Sequence, residues 1–97
     1  MTITLNTRIA IPEDVFFQDL KGESVILEVM SGNYFGLDEV GTRMWNLLAE
    51  HKALQPAYET LLSEYDVDPA LLERDLIALV QKCVDKELLQ IEASTDF

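Results

Sequence analysis

Residues 32–45 read Gly32-Asn33-Tyr34-Phe35-Gly36-Leu37-Asp38-Glu39-Val40-Gly41-Thr42-Arg43-Met44-Trp45, and this stretch decides the fold because it passes from a short aromatic strand straight into a helix. Residues 34–37 alternate with the two-residue period of a strand, and Gly32 marks a turn before them. Asp38 stands where a helix N-cap belongs, ahead of Val40, Met44, Leu47 and Leu48 at helical spacing. Gly41, in the first turn, allows the helix to approach the sheet closely. Turn, strand and cap agree on one junction, around which the rest of the chain can be arranged.

Upstream, residues 15–20 are β-branched and aromatic, and Lys21-Gly22 supplies a turn. In residues 24–30 Val25, Leu27 and Val29 share one face while Ile26 and Met30 share the other. Apolar side chains on both faces predict a central strand, flanked by residues 15–20 and, after the Ser31-Gly32 turn, by residues 33–37. The result is a three-stranded meander. Farther back, Ile3, Leu5, Ile9 and Ile11 fall at odd positions, interrupted by Asn6, Thr7 and Arg8, so residues 1–12 read as an extended N-terminal segment.

Downstream, the period becomes helical. The first helix is expected to run to about His51, with Trp45 on the flank of its apolar stripe. A second begins at Pro56 and ends near Asp66, with Leu54, Tyr58, Leu61, Leu62 and Tyr65 in phase. The third opens on Asp68 as N-cap and Pro69 at the first helical position. Its apolar residues are Leu72, Leu76, Leu79, Val80 and Cys83, with Ile77 and Val84 widening the arc to about half the circumference, more than one core contact requires. Leu88, Leu89 and Ile91 suggest a short strand or packed tail, and the polar end 92–97 a flexible one. The expected class is α+β: a winged-helix-like three-stranded antiparallel sheet followed by three helices, in one domain over residues 1–97.

With 97 residues, the chain can bury one modest core but not an enclosed catalytic chamber with a lid. No apolar run approaches the roughly 20 residues of a membrane span. Residues 1–6 lack the basic flank and apolar region of a signal peptide, so a cytoplasmic protein is expected. The net charge of −11, from 18 acidic and 7 basic residues, opposes binding to nucleic acid or an anionic membrane.

Catalytic chemistry finds little to use. One cysteine, Cys83, and one histidine, His51, leave no disulfide framework and no zinc or iron cluster. His51 has no assigned nucleophile, and Cys83 lies on an apolar face where a thiolate is disfavoured. Asp38 is engaged in capping, and Glu13-Asp14 and Asp38-Glu39 are adjacent carboxylates of a solvated kind. Gly32, Gly36 and Gly41 fit neither phosphate-binding glycine motif. No cofactor, metal or catalytic residue is expected.

The strand over residues 33–37 ends a meander, so one of its edges carries unpaired backbone groups that must be protected or used. An extended peptide could add there as a further strand, with side chains inserting between the edge and the wide apolar face of the third helix.

At this point the sequence resembles the PqqD-like family, which includes the pyrroloquinoline quinone synthesis protein D and the stand-alone precursor-recognition proteins of lasso-peptide pathways. The resemblance covers about residues 15–89. It rests on Gly32, Tyr34, Leu37-Asp38, Gly41 and Met44-Trp45, with weaker support from Asp75-Leu76, Leu79 and Leu88-Leu89. It departs at Lys86-Glu87, where relatives often have a glycine before the closing apolar pair. The resemblance implies a peptide-recognition domain, the RiPP recognition element. Such a domain binds the leader of a ribosomally made precursor and presents it to a radical enzyme, protease or cyclase. The implied site is Asn33, Tyr34, Phe35, Gly36 and Leu37 on the strand, and Leu72, Asp75, Leu76, Leu79 and Cys83 on the third helix.

Two other readings remain at this level. A winged helix can bind DNA through basic residues on its third helix, but Arg74, Lys82 and Lys86 are offset there by Glu73, Asp75, Asp85 and Glu87. The other is a purely structural subunit or a homodimer built by edge pairing or swapping, because the exposed strand can pair with a second copy as readily as with a peptide.

Overall fold

The junction forms as its local chemistry dictates, and the elements follow from it. A computed structural model describes residues 2–92. In chain order the elements are β1 (Ile9–Ala10), β2 (Val15–Asp19), β3 (Ser24–Glu28), β4 (Tyr34–Leu37), α1 (Glu39–His51), α2 (Leu54–Glu64), α3 (Pro69–Asp85) and β5 (Gln90–Ile91). Strands β2, β3 and β4 form the expected antiparallel meander with β3 central. Asp38 caps α1, its carboxylate accepting the Gly41 N–H at 2.8 Å. A Cβ on Gly41 would come within 3.2 Å of Leu37 Cδ2, so the glycine is what lets α1 lie against the end of β4. Asp68 caps α3 by accepting from the Ala70 N–H at 2.9 Å, with Pro69 at the start of the helix.

One face of the sheet meets the helices. Ile26 and Leu37 join Met44, Trp45, Leu47 and Leu48 of α1, Leu54, Ala57 and Leu61 of α2, and Leu72, Leu76, Val80 and Cys83 of α3 in a single core. Phe17 stacks on Trp45 with centroids 6.0 Å apart, and the buried hydroxyls of Ser24 and Thr42 satisfy one another at 2.8 Å. The other face is open. Phe16, Leu27 and Tyr34 stand in one cross-strand row and are all exposed.

Several expectations require correction. β3 stops at Glu28 rather than Met30 because the Glu28 carboxylate accepts the N–H groups of Met30 and Ser31 and the Ser31 hydroxyl, folding the chain into a turn. Its buried face carries Ser24, Ile26 and Glu28, while Val29 and Met30 are exposed. Val40 is exposed as well, lying in the first turn of α1 beyond the end of β4.

α2 starts at Leu54, two residues before Pro56, and ends at Glu64. The Leu54 N–H donates to Thr7 O at 3.3 Å, so the N-terminal segment caps this helix, and Pro56 falls within the first turn, where an N–H has no helical partner. The N-terminal segment is also a strand: β1 pairs with β5, Ile9 opposite Ile91. Leu88 and Leu89 are buried as the chain returns. Glu92 N–H donates to Arg8 O at 2.9 Å, and the remainder of the expected tail, 93–97, lies outside the described residues.

Candidate functional site: the groove between β4 and α3

Among the described residues β4 pairs only with β3, leaving its other edge open. In an antiparallel ladder, backbone groups point alternately toward and away from the partner. The Glu28 N–H donates to Asn33 O at 2.8 Å, and Ile26–Phe35 and Ser24–Leu37 continue that register. Asn33, Phe35 and Leu37 therefore engage β3. Tyr34 and Gly36 direct their N–H and C=O groups to the free edge. Side chains alternate in the other sense: Phe35 and Leu37 face the helices, whereas the Tyr34 ring is 69% exposed on the outer face.

α3 runs beside this edge. Asn33 Nδ2 donates to Lys86 O at 3.1 Å, and Lys82 Nζ and Lys86 Nζ each lie 6.0 Å from the centre of the Phe35 ring. Farther along, Phe35, Gly36 and Leu37 face Asp75 and Leu79 of α3 across an open groove of about 600 Å³, with Val40, Gly41 and Met44 of α1 closing one end. The contacts pair the start of β4 with the end of α3, so the two elements are antiparallel. Their lengths match: an extended chain from Asn33 to Asp38 and a helix from Asp75 to Lys86 each rise about 16 Å.

Of the residues expected from sequence, the groove brings together Phe35, Gly36, Leu37, Asp75 and Leu79. Asn33 sits at its far end, and Tyr34 contributes backbone. Leu72, Leu76 and Cys83 are elsewhere. Leu76 and Cys83 are 0% exposed and Leu72 is also buried, because positions 72, 76, 80 and 83 form the stripe that faces the core. The neighbouring stripe, 75, 79, 82 and 86, faces β4. Sequence reasoning missed Lys82 and Lys86 on that stripe and Val40, Gly41 and Met44 on α1. A second opening, of about 620 Å³, lies between the β3–β4 turn and β5 and is lined in part by Glu28 and Ser31. Those groups bond one another, and β5, whose Gln90 and Ile91 line the opening, is only 2 residues long.

Reactive groups are correspondingly quiet. Burial pushes the Cys83 thiol up to about 12, far from a thiolate at neutral pH. His51 Nε2 is 3.4 Å from the carboxylate of its neighbour Glu50. No group of three or more His, Cys, Asp or Glu side chains suited to a metal ion occurs among the described residues, nor is any of their helices long and apolar enough to cross a membrane.

Comparison with known proteins adds an independent line. A solved structure described as TbiB1 in complex with the TbiA(beta) leader peptide is 37% identical, covers 89% of this chain and 98% of its own, and superposes with a TM-score of 0.76. A second, described as lasso peptide synthetase B1 complexed with the leader peptide, is 22% identical, covers 84% of this chain and 96% of its own, and gives a TM-score of 0.75; it speaks for the fold. No curated protein gives a significant match. The sequence also matches the family described as Coenzyme PQQ synthesis protein D (PqqD) over residues 23–89. That span includes β3, β4, α1 and all of α3, and with them both walls of the groove; the chain belongs to the PqqD family.

Proposed function

We propose that this chain is a leader-peptide carrier. The leader of a ribosomally synthesised precursor adds as a strand to β4, and the chain presents it to a modifying enzyme, a radical enzyme, protease or cyclase. The chain is a single recognition domain acting in the cytoplasm without catalysis of its own. The observation that carries the reading is the free edge at Tyr34 and Gly36 beside the groove lined by Phe35, Met44 and Leu79. The leader peptide bound to the similar TbiB1 supports it.

The magnitudes agree with a role for both edge and groove. Ordering a flexible segment costs about 2–5 kcal/mol, and each edge hydrogen bond contributes about 0.5–1.5 kcal/mol net. Backbone pairing alone therefore gives weak binding. One or two apolar anchors in the groove, at about 1.5–3 kcal/mol each, bring the affinity to about micromolar. DNA binding is disfavoured by the net charge of −11 and by the placement of Lys82 and Lys86 over Phe35, facing β4 rather than outward.

The test is titration of the fluorescently labelled leader of a precursor encoded beside this chain. Leu79→Asp puts a charge in the groove and is expected to weaken binding at least about tenfold. Tyr34→Pro removes an edge N–H while sparing the β3 ladder, at a position where an edge strand tolerates proline, and is expected to do the same. Tyr34→Ala keeps that N–H and costs less. Unchanged affinity in folded Leu79→Asp and Tyr34→Pro variants rejects strand addition at this site.

A further inference from the structure

The groove is electrically polar in a chain that is otherwise strongly acidic. At one end stand Lys82 and Lys86, two of only 7 basic residues, both over the Phe35 ring. The three arginines each have a carboxylate neighbour, in the pairs Arg8–Glu92, Arg43–Glu64 and Arg74–Asp75. Neither Lys82 nor Lys86 has such a partner among the described residues. At the other end stand Asp38, bonded to the Gly41 N–H, and Asp75, near Arg74.

We infer that Lys82 and Lys86 form a subsite for a carboxylate side chain of the bound segment, two residues from the apolar anchor that lies against Leu79. The inference rests on the strand-addition reading and adds a sequence requirement to it. The spacing follows from geometry. Along α3, Lys82 is about 4.5 Å and Lys86 about 10.5 Å beyond Leu79. In an added strand, successive side chains on one face are about 6.7 Å apart, which places the next inward residue between the two ammonium groups. An aspartate or glutamate there meets two cations, whereas over most of the remaining surface the net negative charge repels it. Attraction at one point and repulsion elsewhere fix the register of the segment as well as its affinity.

Selection of a random peptide display library on the full chain, at low salt, tests this. The retained pool is expected to be enriched in Asp or Glu two residues from an apolar anchor, and to lose that enrichment on the Lys82→Gln/Lys86→Gln variant. Individual selected peptides are expected to bind the double variant about three- to twentyfold more weakly, the difference narrowing as salt rises to about 0.5 M. A pool that depends on Leu79 but shows no acidic preference, or that binds the double variant equally well, overturns the carboxylate subsite and leaves the groove standing. A pool retained equally by Leu79→Asp overturns both.

Discussion

Glu87 holds a backbone conformation that favours glycine, with φ +64. The reason is the end of α3. The Glu87 N–H donates to Val84 O at 3.0 Å and the Leu88 N–H to Cys83 O at 2.7 Å, the paired bonds of a Schellman closure, which needs a left-handed residue at that point. The closure turns Leu88 inward onto the core. A non-glycine residue there costs about 1–2 kcal/mol, while glycine costs about 0.5–1 kcal/mol through its freer unfolded chain. Glu87→Gly is therefore expected to stabilise the fold by about 0.5–1 kcal/mol, raising the thermal midpoint by about 2–8 °C in a calorimetric scan. The departure from the family pattern at Lys86-Glu87 was legible in the sequence; its structural meaning required the hydrogen bonds.

The turn joining β3 to β4 is held by Glu28. Its carboxyl lies below the usual carboxylate range, chiefly because the Ser31 hydroxyl donates to it, with the Ser31 and Met30 N–H groups adding to the effect against desolvation. A lowered pKa in the folded state stabilises the protein above the ordinary carboxylate pKa, and the contribution is lost as pH falls through the folded value. Glu28→Gln is expected to lower the urea midpoint at neutral pH and to converge on the parent protein as the solution is acidified below about pH 4. What was legible among the elements follows the same logic of distance along the chain. Asp38, Asp68 and Pro69 act on residues next to them, so the starts of α1 and α3 could be read directly. The α2 start depends on Thr7 O, which leaves no local signal. Residues 1–12 read as extended and residues 88–91 as a short strand or packed tail, but the pairing of β1 with β5 joins residues 9 and 91 and is written in neither segment alone. α3 was read as one wide arc because it serves two surfaces. Leu76 and Cys83 belong to the core and Leu79 to the groove, and Lys82 and Lys86, polar and at the border of the arc, resembled an ordinary solvated face.

Across the whole molecule, the exposed row of Phe16, Leu27 and Tyr34 opposes a net charge of −11. Apolar contact draws copies together and charge keeps them apart, and only the second is screened by salt. Sedimentation at low ionic strength is expected to show monomer. Added salt is expected to raise the weight-average mass, and Phe16→Ser, 59% exposed in the parent, to suppress the rise; a salt-independent mass would exclude this face as a self-association surface. The antiparallel match of β4 and α3 has a different consequence. β4 is 4 residues long, so a leader added to it as proposed would be inspected over a very short span. On that proposal, so small a label is portable: grafted ahead of unrelated cargo, it would carry the cargo with it, and the chain would be indifferent to what followed.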